Sequence, residues 1–381
     1  MHRTFLIAIA ALLVGTTSAC GTSGDQGRAT IDSTVVSTTT PADFVATTAT
    51  ASTPTSATSE PATTAPPIAT SSTTRVDVES ARPYTVTTST FTVVDTSRTT
   101  PATDTSEELP ARTINVVLHL PDSNSPVPLV VFSHGLGGHP DLFGDLFRAW
   151  TESGYAVAAP VFPLTNRDGA DFSIADGVNQ PADVSFVIDQ IFDESSEIGR
   201  QMAGRLDPQR IGAAGLSFGG ATTYEVALND RVRDERIRAA VIMAGVRFTN
   251  SDDGSFVAAD VPVYLLHGEA DPVVPVEISE EAFHGFRDAA LFATLLGGGH
   301  SAPFGDEAAG HTKIAGMDAV ITESTTAFWD RFLLDDPSAA DRITASADVD
   351  GLSELARNAC AIGFIGDGGY VDAMLDLSDC S

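Results

Sequence analysis

The apolar positions change rhythm about a third of the way along the chain. YTVTTSTFTVV (84–94) and TINVVLHLP (113–121) alternate apolar and polar residues or run β-rich, which predicts an opening antiparallel pair of strands. VPLVVFSHG (127–135) is instead continuously apolar, as expected of a strand covered on both faces of a parallel sheet. From there the two periods take turns. Helical spacing in DLFGDLFRAWTESG (141–154), PADVSFVIDQIFDESS (181–196), FGGATTYEVALN (218–229), EISEEAFHGFR (277–287) and MDAVITESTTAFWDRFLL (317–334) predicts five helices. Between them YAVAAPVF (155–162), RIGAAGLS (210–217), IRAAVIMAG (237–245), VPVYLLHG (261–268) and ALFATLLGG (290–298) read as strands.

Strands alternating with helices through right-handed crossovers build an α/β fold with a mostly parallel sheet flanked by helices. Ligands in such sheets lie beyond the carboxyl ends of the strands, so chemistry is expected immediately after each strand.

The first 76 residues do not share this patterning. Residues 1–20 join Met1-His2-Arg3, the apolar run FLIAIAALLV and TTSAC, the three regions of an export signal. Ending on Ala19-Cys20 resembles a lipoprotein signal, which makes Cys20 the expected lipidation site; an ordinary secretory signal with an incidental cysteine is the alternative. Either reading predicts export, with membrane contact only through a lipid on Cys20. Residues 21–76 are dominated by Thr, Ser, Ala and Pro, too poor in large apolar side chains to repay ordering, and are expected to be a disordered linker. Residues 77–381 then form one domain with ample core.

With 51 acidic against 21 basic residues the formal charge is −30, which argues against nucleic acid and anionic membrane as partners of the folded domain. If Cys20 carries lipid, Cys360 and Cys380 remain as an isolated pair in an oxidising compartment, and a disulfide there would stabilise the tail by on the order of 3 kcal/mol. No metal is expected: the cysteines lack a tetrahedral ligand set, and Asp348-Val349-Asp350-Gly351 lacks the closing glutamate of a calcium loop.

The candidate chemistry sits at strand ends. Gly215-Leu216-Ser217-Phe218-Gly219 places a serine between a strand and a helix, with glycines two positions to either side that permit a sharp turn. Such a turn exposes the hydroxyl at a helix N-terminus, where negative charge is favoured. A serine hydroxyl needs a base, and the base an orienting acid. Asp271 follows VPVYLLHG and His300 follows ALFATLLGG, giving the order Ser217, Asp271, His300; Glu269 is a rival acid and His311 a reserve base. Two backbone N–H groups are expected to form an oxyanion hole, those of Phe218 and of Leu136 in Ser133-His134-Gly135-Leu136-Gly137-Gly138. Phe143, Phe162 and Phe304 are candidate walls of an acyl pocket, bordered by the irregular stretch 165–180, and Arg247 is a candidate contact for a polar or acidic substrate group.

HGLGG, GLSFGG, HGEADPVVP and GGGH in series resemble the α/β-hydrolase family, in its dienelactone-hydrolase-like, platelet-activating-factor-acetylhydrolase-like and cutinase-type polyester-hydrolase branches, over about 110–335. The resemblance implies an eight-stranded sheet, serine esterase activity on a small-molecule or lipid ester, and no cofactor. One departure is visible. Where polyester hydrolases carry a tryptophan this chain has Gly245-Val246-Arg247-Phe248, which counts against aromatic polyesters. Acyl transfer to a wall sugar or lipid would use the same three side chains, a non-catalytic binding module would need a broken set, and a monomer is expected.

Overall fold

The computed structural model describes residues 83–169, 171–247, 261–286, 289–301 and 313–358. Cys20, Phe304, His311, Cys360 and Cys380 lie outside the described residues, so the lipidation, disulfide and Phe304 expectations have no structural counterpart here.

Among the described residues, nine strands form one sheet in the order β1-β2-β4-β3-β5-β6-β7-β8-β9. β1 (Val86–Asp95) and β2 (Arg112–Pro121) are the expected antiparallel pair, in register from Val86 opposite Pro121 to Asp95 opposite Arg112. β2 also pairs antiparallel with β4 (Ala156–Val161). β3 (Val127–Ser133), β4, β5 (Leu206–Leu216), β6 (Ile237–Met243), β7 (Val263–Gly268) and β8 (Ala290–Leu295) run parallel, as their continuous apolar runs predicted. The expected eight strands become nine through β9 (Ser353–Arg357), which adds antiparallel to the far edge. Its five residues alternate in exposure, so only one face carries an apolar signal.

Each parallel strand feeds two cores because successive side chains point to opposite faces. Leu129 and Val131 of β3 join one core, together with Val184, Val187 and Ile188 of α2 (Gln180–Phe192). Val130 and Phe132 join the other, with Phe147 and Trp150 of α1 (Gly144–Glu152). α3 (Glu197–Met202) and α4 (Phe218–Leu228) contribute Ile198, Met202 and Val226 to the first core. α5 (Glu277–Gly285) adds Phe283 there. α6 (Met317–Phe332) and α7 (Ala339–Ala347) pack Trp329 and Ile343 into the second.

Chain order leaves β3 with β4 on one side and β5 on the other. That reversal falls at the carboxyl ends of β3 and β5, the position where such sheets place their ligands. The segments beyond those ends begin at His134 and Ser217.

Candidate active site

Ser217 caps α4 with φ 58° and ψ −117°, a left-handed conformation that a β-carbon disfavours. The surroundings impose it. A Cβ on Gly215 would lie 2.2 Å from the Gly219 carbonyl oxygen, and one on Gly219 2.0 Å from that of Ser133, so the turn closes only with glycine at both places. The Ser217 N–H donates to the Met243 carbonyl at 2.8 Å, tying the turn to β6.

His300 follows β8, and its Nε2 accepts from the Ser217 hydroxyl at 2.7 Å. Its Nδ1–H donates to Asp271 Oδ2, also at 2.7 Å. The Asp271 side chain is fully buried and its other oxygen accepts from the N–H groups of Val273 and Val274 at 2.8 and 2.9 Å. Burial alone would push this carboxyl up, but hydrogen bonds from His267 and His300, the charge of His300 and the Val274 N–H outweigh it and hold it far below the usual carboxylate range. The rival Glu269 is engaged elsewhere, accepting from Gly297 N–H at 2.9 Å.

Two histidines that read in the sequence only as strand ends support this relay. His267 at the end of β7 is 1 % exposed. Its Nε2–H points at the Val274 carbonyl (2.8 Å) and Asp271 Oδ2 (3.1 Å), while Nδ1 accepts from the Ser279 hydroxyl at 2.7 Å. Both partners fix the tautomer, so the ring steadies the acid without competing for the base. The only prior signal was the histidine four residues before the acid.

His134 orders the opposite wall. Its Nε2 accepts from the Phe162 N–H at 3.2 Å, so Nδ1 carries the proton and donates to the Gly135 carbonyl at 2.8 Å. Gly138 N–H donates to that same carbonyl at 2.9 Å. In a trans peptide the N–H points opposite to the C=O, so clamping the Gly135 oxygen aims the Leu136 N–H the other way. A Cβ built on Gly135 would be 3.5 Å from Ser217 Cβ, which sets this loop beside the hydroxyl. Phe218, the first residue of α4, supplies a second N–H at the positive end of the helix.

The remaining site expectations divide. Phe143 is 3 % exposed with its ring 4.5 Å from that of Phe132, and Phe162 is wholly buried beside the His134 ring. Both are core packing rather than open pocket wall: Phe143, just before α1, packs on the Phe132 ring of β3, and Phe162, just after β4, packs beside His134. Arg247 is exposed, beyond β6, close enough to the buried Tyr224 for its charge to oppose the upward push of burial on that phenol. Stretch 165–180 is less irregular than expected: Ile174–Asn179 is a short 3₁₀ helix and Gln180 begins α2. Gly137 N–H donates to the Thr165 carbonyl at 2.8 Å and Arg167 N–H to that of Gly138 at 3.1 Å, which stitches this stretch to the Leu136 loop.

Sheet order and the strand–elbow–helix turn are those of the α/β-hydrolase fold. A family model described as phospholipase/carboxylesterase matches residues 120–303, from the end of β2 to just past His300, and supports assigning the chain to the α/β-hydrolase family, a group of esterases and related hydrolases. Among solved structures, a ferulic acid esterase from Streptomyces cinnamoneus superposes with a TM-score of 0.54 at 23% identity, covering 66% of this chain and 91% of that one; the likeness is one of fold. No curated relative matches the chain.

Proposed function

We propose that the protein hydrolyses carboxylic esters through an acyl-enzyme on Ser217. What carries this reading is the unbroken relay from the Ser217 hydroxyl through His300 to buried Asp271, at 2.7 Å per link. His300 Nε2 takes the hydroxyl proton as Ser217 Oγ bonds to the acyl carbon, and the carbonyl electron pair moves onto oxygen. The Leu136 and Phe218 N–H groups receive that oxyanion. The tetrahedral adduct collapses, the C–O bond to the alcohol breaks, and His300 returns its proton to the departing oxygen. Water repeats the sequence on the acyl-enzyme and releases the acid. Asp271 keeps its charge throughout and balances the transient imidazolium.

Ser217→Ala is expected to lower kcat on p-nitrophenyl acetate by about 10⁶-fold. Near-normal turnover in that variant, or failure of a fluorophosphonate to label the wild-type serine, would overturn the assignment. The substrate panel should include a methyl hydroxycinnamate, because one structural neighbour is a ferulic acid esterase, alongside aliphatic esters of increasing chain length. Export with lipid on Cys20 belongs to the same proposal and is tested by mass spectrometry of the mature N-terminus.

A further inference from the structure

The two N–H groups of the oxyanion hole stand on elements far apart in sequence, one on the loop after β3 and the other at the start of α4. Their separation must match one oxygen atom. A fully buried carboxamide spans the gap behind them. Gln180, at the first position of α2, is 0 % exposed. Its Oε1 accepts a short hydrogen bond from the Thr222 hydroxyl, and its Nε2 donates to Thr165 Oγ1 at 2.7 Å.

Each contact leads to one donor. Thr222 lies one turn along α4 from Phe218, and its hydroxyl is also 3.2 Å from the Phe218 carbonyl. Thr165 holds Gly137 N–H through its own carbonyl at 2.8 Å, next in the chain to Leu136. All three side chains are buried without solvent to replace a lost partner, so removing one leaves a polar group unpaired or moves the backbone that carries it.

We propose that Gln180 is a positioning residue that sets the spacing of the oxyanion donors by bridging Thr222 and Thr165, an inference that rests on the ester-hydrolase reading of the site. It touches no substrate. Its contribution is made in the transition state, where the oxygen is charged and displaced, and hardly at all in the bound ester.

The test reads kcat and KM for p-nitrophenyl acetate together with the inhibition constant of a short-chain alkyl trifluoromethyl ketone. That ketone is attacked by Ser217 Oγ, its carbonyl pair becomes the oxyanion, and the serine proton moves to His300, so its affinity reports the same two donors. Gln180→Leu and Thr222→Val should each lower kcat by about 10- to 100-fold, less than loss of a donor itself, with KM within about twofold. Ketone affinity should weaken in parallel with kcat. Thr222→Ser, which keeps the hydroxyl, should recover most of the loss, and the Leu/Val double variant should be little worse than either single one. The threonine pair keeps the test open if Gln180→Leu does not fold. Unchanged kcat in the folded variants, or lower kcat with unaltered ketone affinity, overturns the bridge. A wild-type protein without turnover or phosphonate labelling overturns the underlying hydrolase reading instead.

Discussion

A single residue, Ser217, carries both the reactivity and the backbone strain. Its φ of 58° is one an L-residue adopts at a cost of about 1–3 kcal/mol, whereas glycine enters that region freely. Ser217→Ala should therefore retain the strain and Ser217→Gly release it, with glycine's greater unfolded-state freedom returning part of the gain. The glycine variant is expected to be more stable than the alanine variant by about 1 kcal/mol in urea unfolding, although neither turns over ester. Equal midpoints would mean that the turn is not strained. Asp271 offers a second measurement. Its charge balances His300 and its geometry fixes the ring tautomer, so Asp271→Asn should cost about 10⁴-fold in kcat. Glu269→Gln removes the charge while keeping an oxygen that can accept from Gly297 N–H and should leave kcat within a few-fold; the opposite ranking of the two variants would make Glu269 the orienting acid.

Elements are held to the site by buried polar contacts as much as by apolar faces. Arg112, at the start of β2 and wholly buried, bonds Asp183 of α2 through Nε and Nη2 and Asp176 of the preceding 3₁₀ helix through both terminal nitrogens. Arg98 adds a contact to Asp183 at 2.8 Å. Burial disfavours the guanidinium, but its hydrogen bonds to Asp183 and Asp176 and the charges of those carboxylates outweigh it and hold it charged. Arg112→Met would strand two carboxylates in the core and should cost about 3–5 kcal/mol in chemical denaturation. A loss under 1 kcal/mol would show that water or Arg98 takes over. Such clusters explain what the sequence conceals. β3, β5 and β7 were legible because burial on both faces writes a continuous apolar run, and Ser217, Asp271 and His300 because each ends such a run. β9, with its short alternating SELAR, and the brief α3 leave too little periodicity to be read. Thr165, Gln180 and Thr222 have no motif at all: their meeting depends on how α2 lies across α4, which local pattern does not encode.

At the scale of the whole molecule, pH sets two tendencies against each other. A formal charge of −30 means self-repulsion, and acid relieves it once carboxylates begin to protonate. His134 works the other way. It is 1 % exposed and buried neutral, and burial chiefly, opposed by its bond to the Gly135 carbonyl, pushes its pKa down to about 4. In the unfolded chain the ring titrates near its ordinary value of 6.5. Between those values the unfolded state binds a proton that the native state refuses, so stability must fall as pH drops through the window, by about 3 kcal/mol when it reaches 4. The carboxylates cannot offset this early, because they protonate mainly below the window; Asp271, held lower still, adds its own loss there as its hydrogen-bonded charge is removed. Urea midpoints should decline from pH 7 to pH 4.5, and His134→Gln, whatever its stability at pH 7, should flatten that decline. A midpoint that rises on acidification would mean that charge relief dominates, and an unflattened slope in the variant would place the acid-sensitive proton elsewhere. The same protonation removes the acceptor for the Phe162 N–H, so the Leu136 loop should loosen first, and turnover should fall ahead of global unfolding.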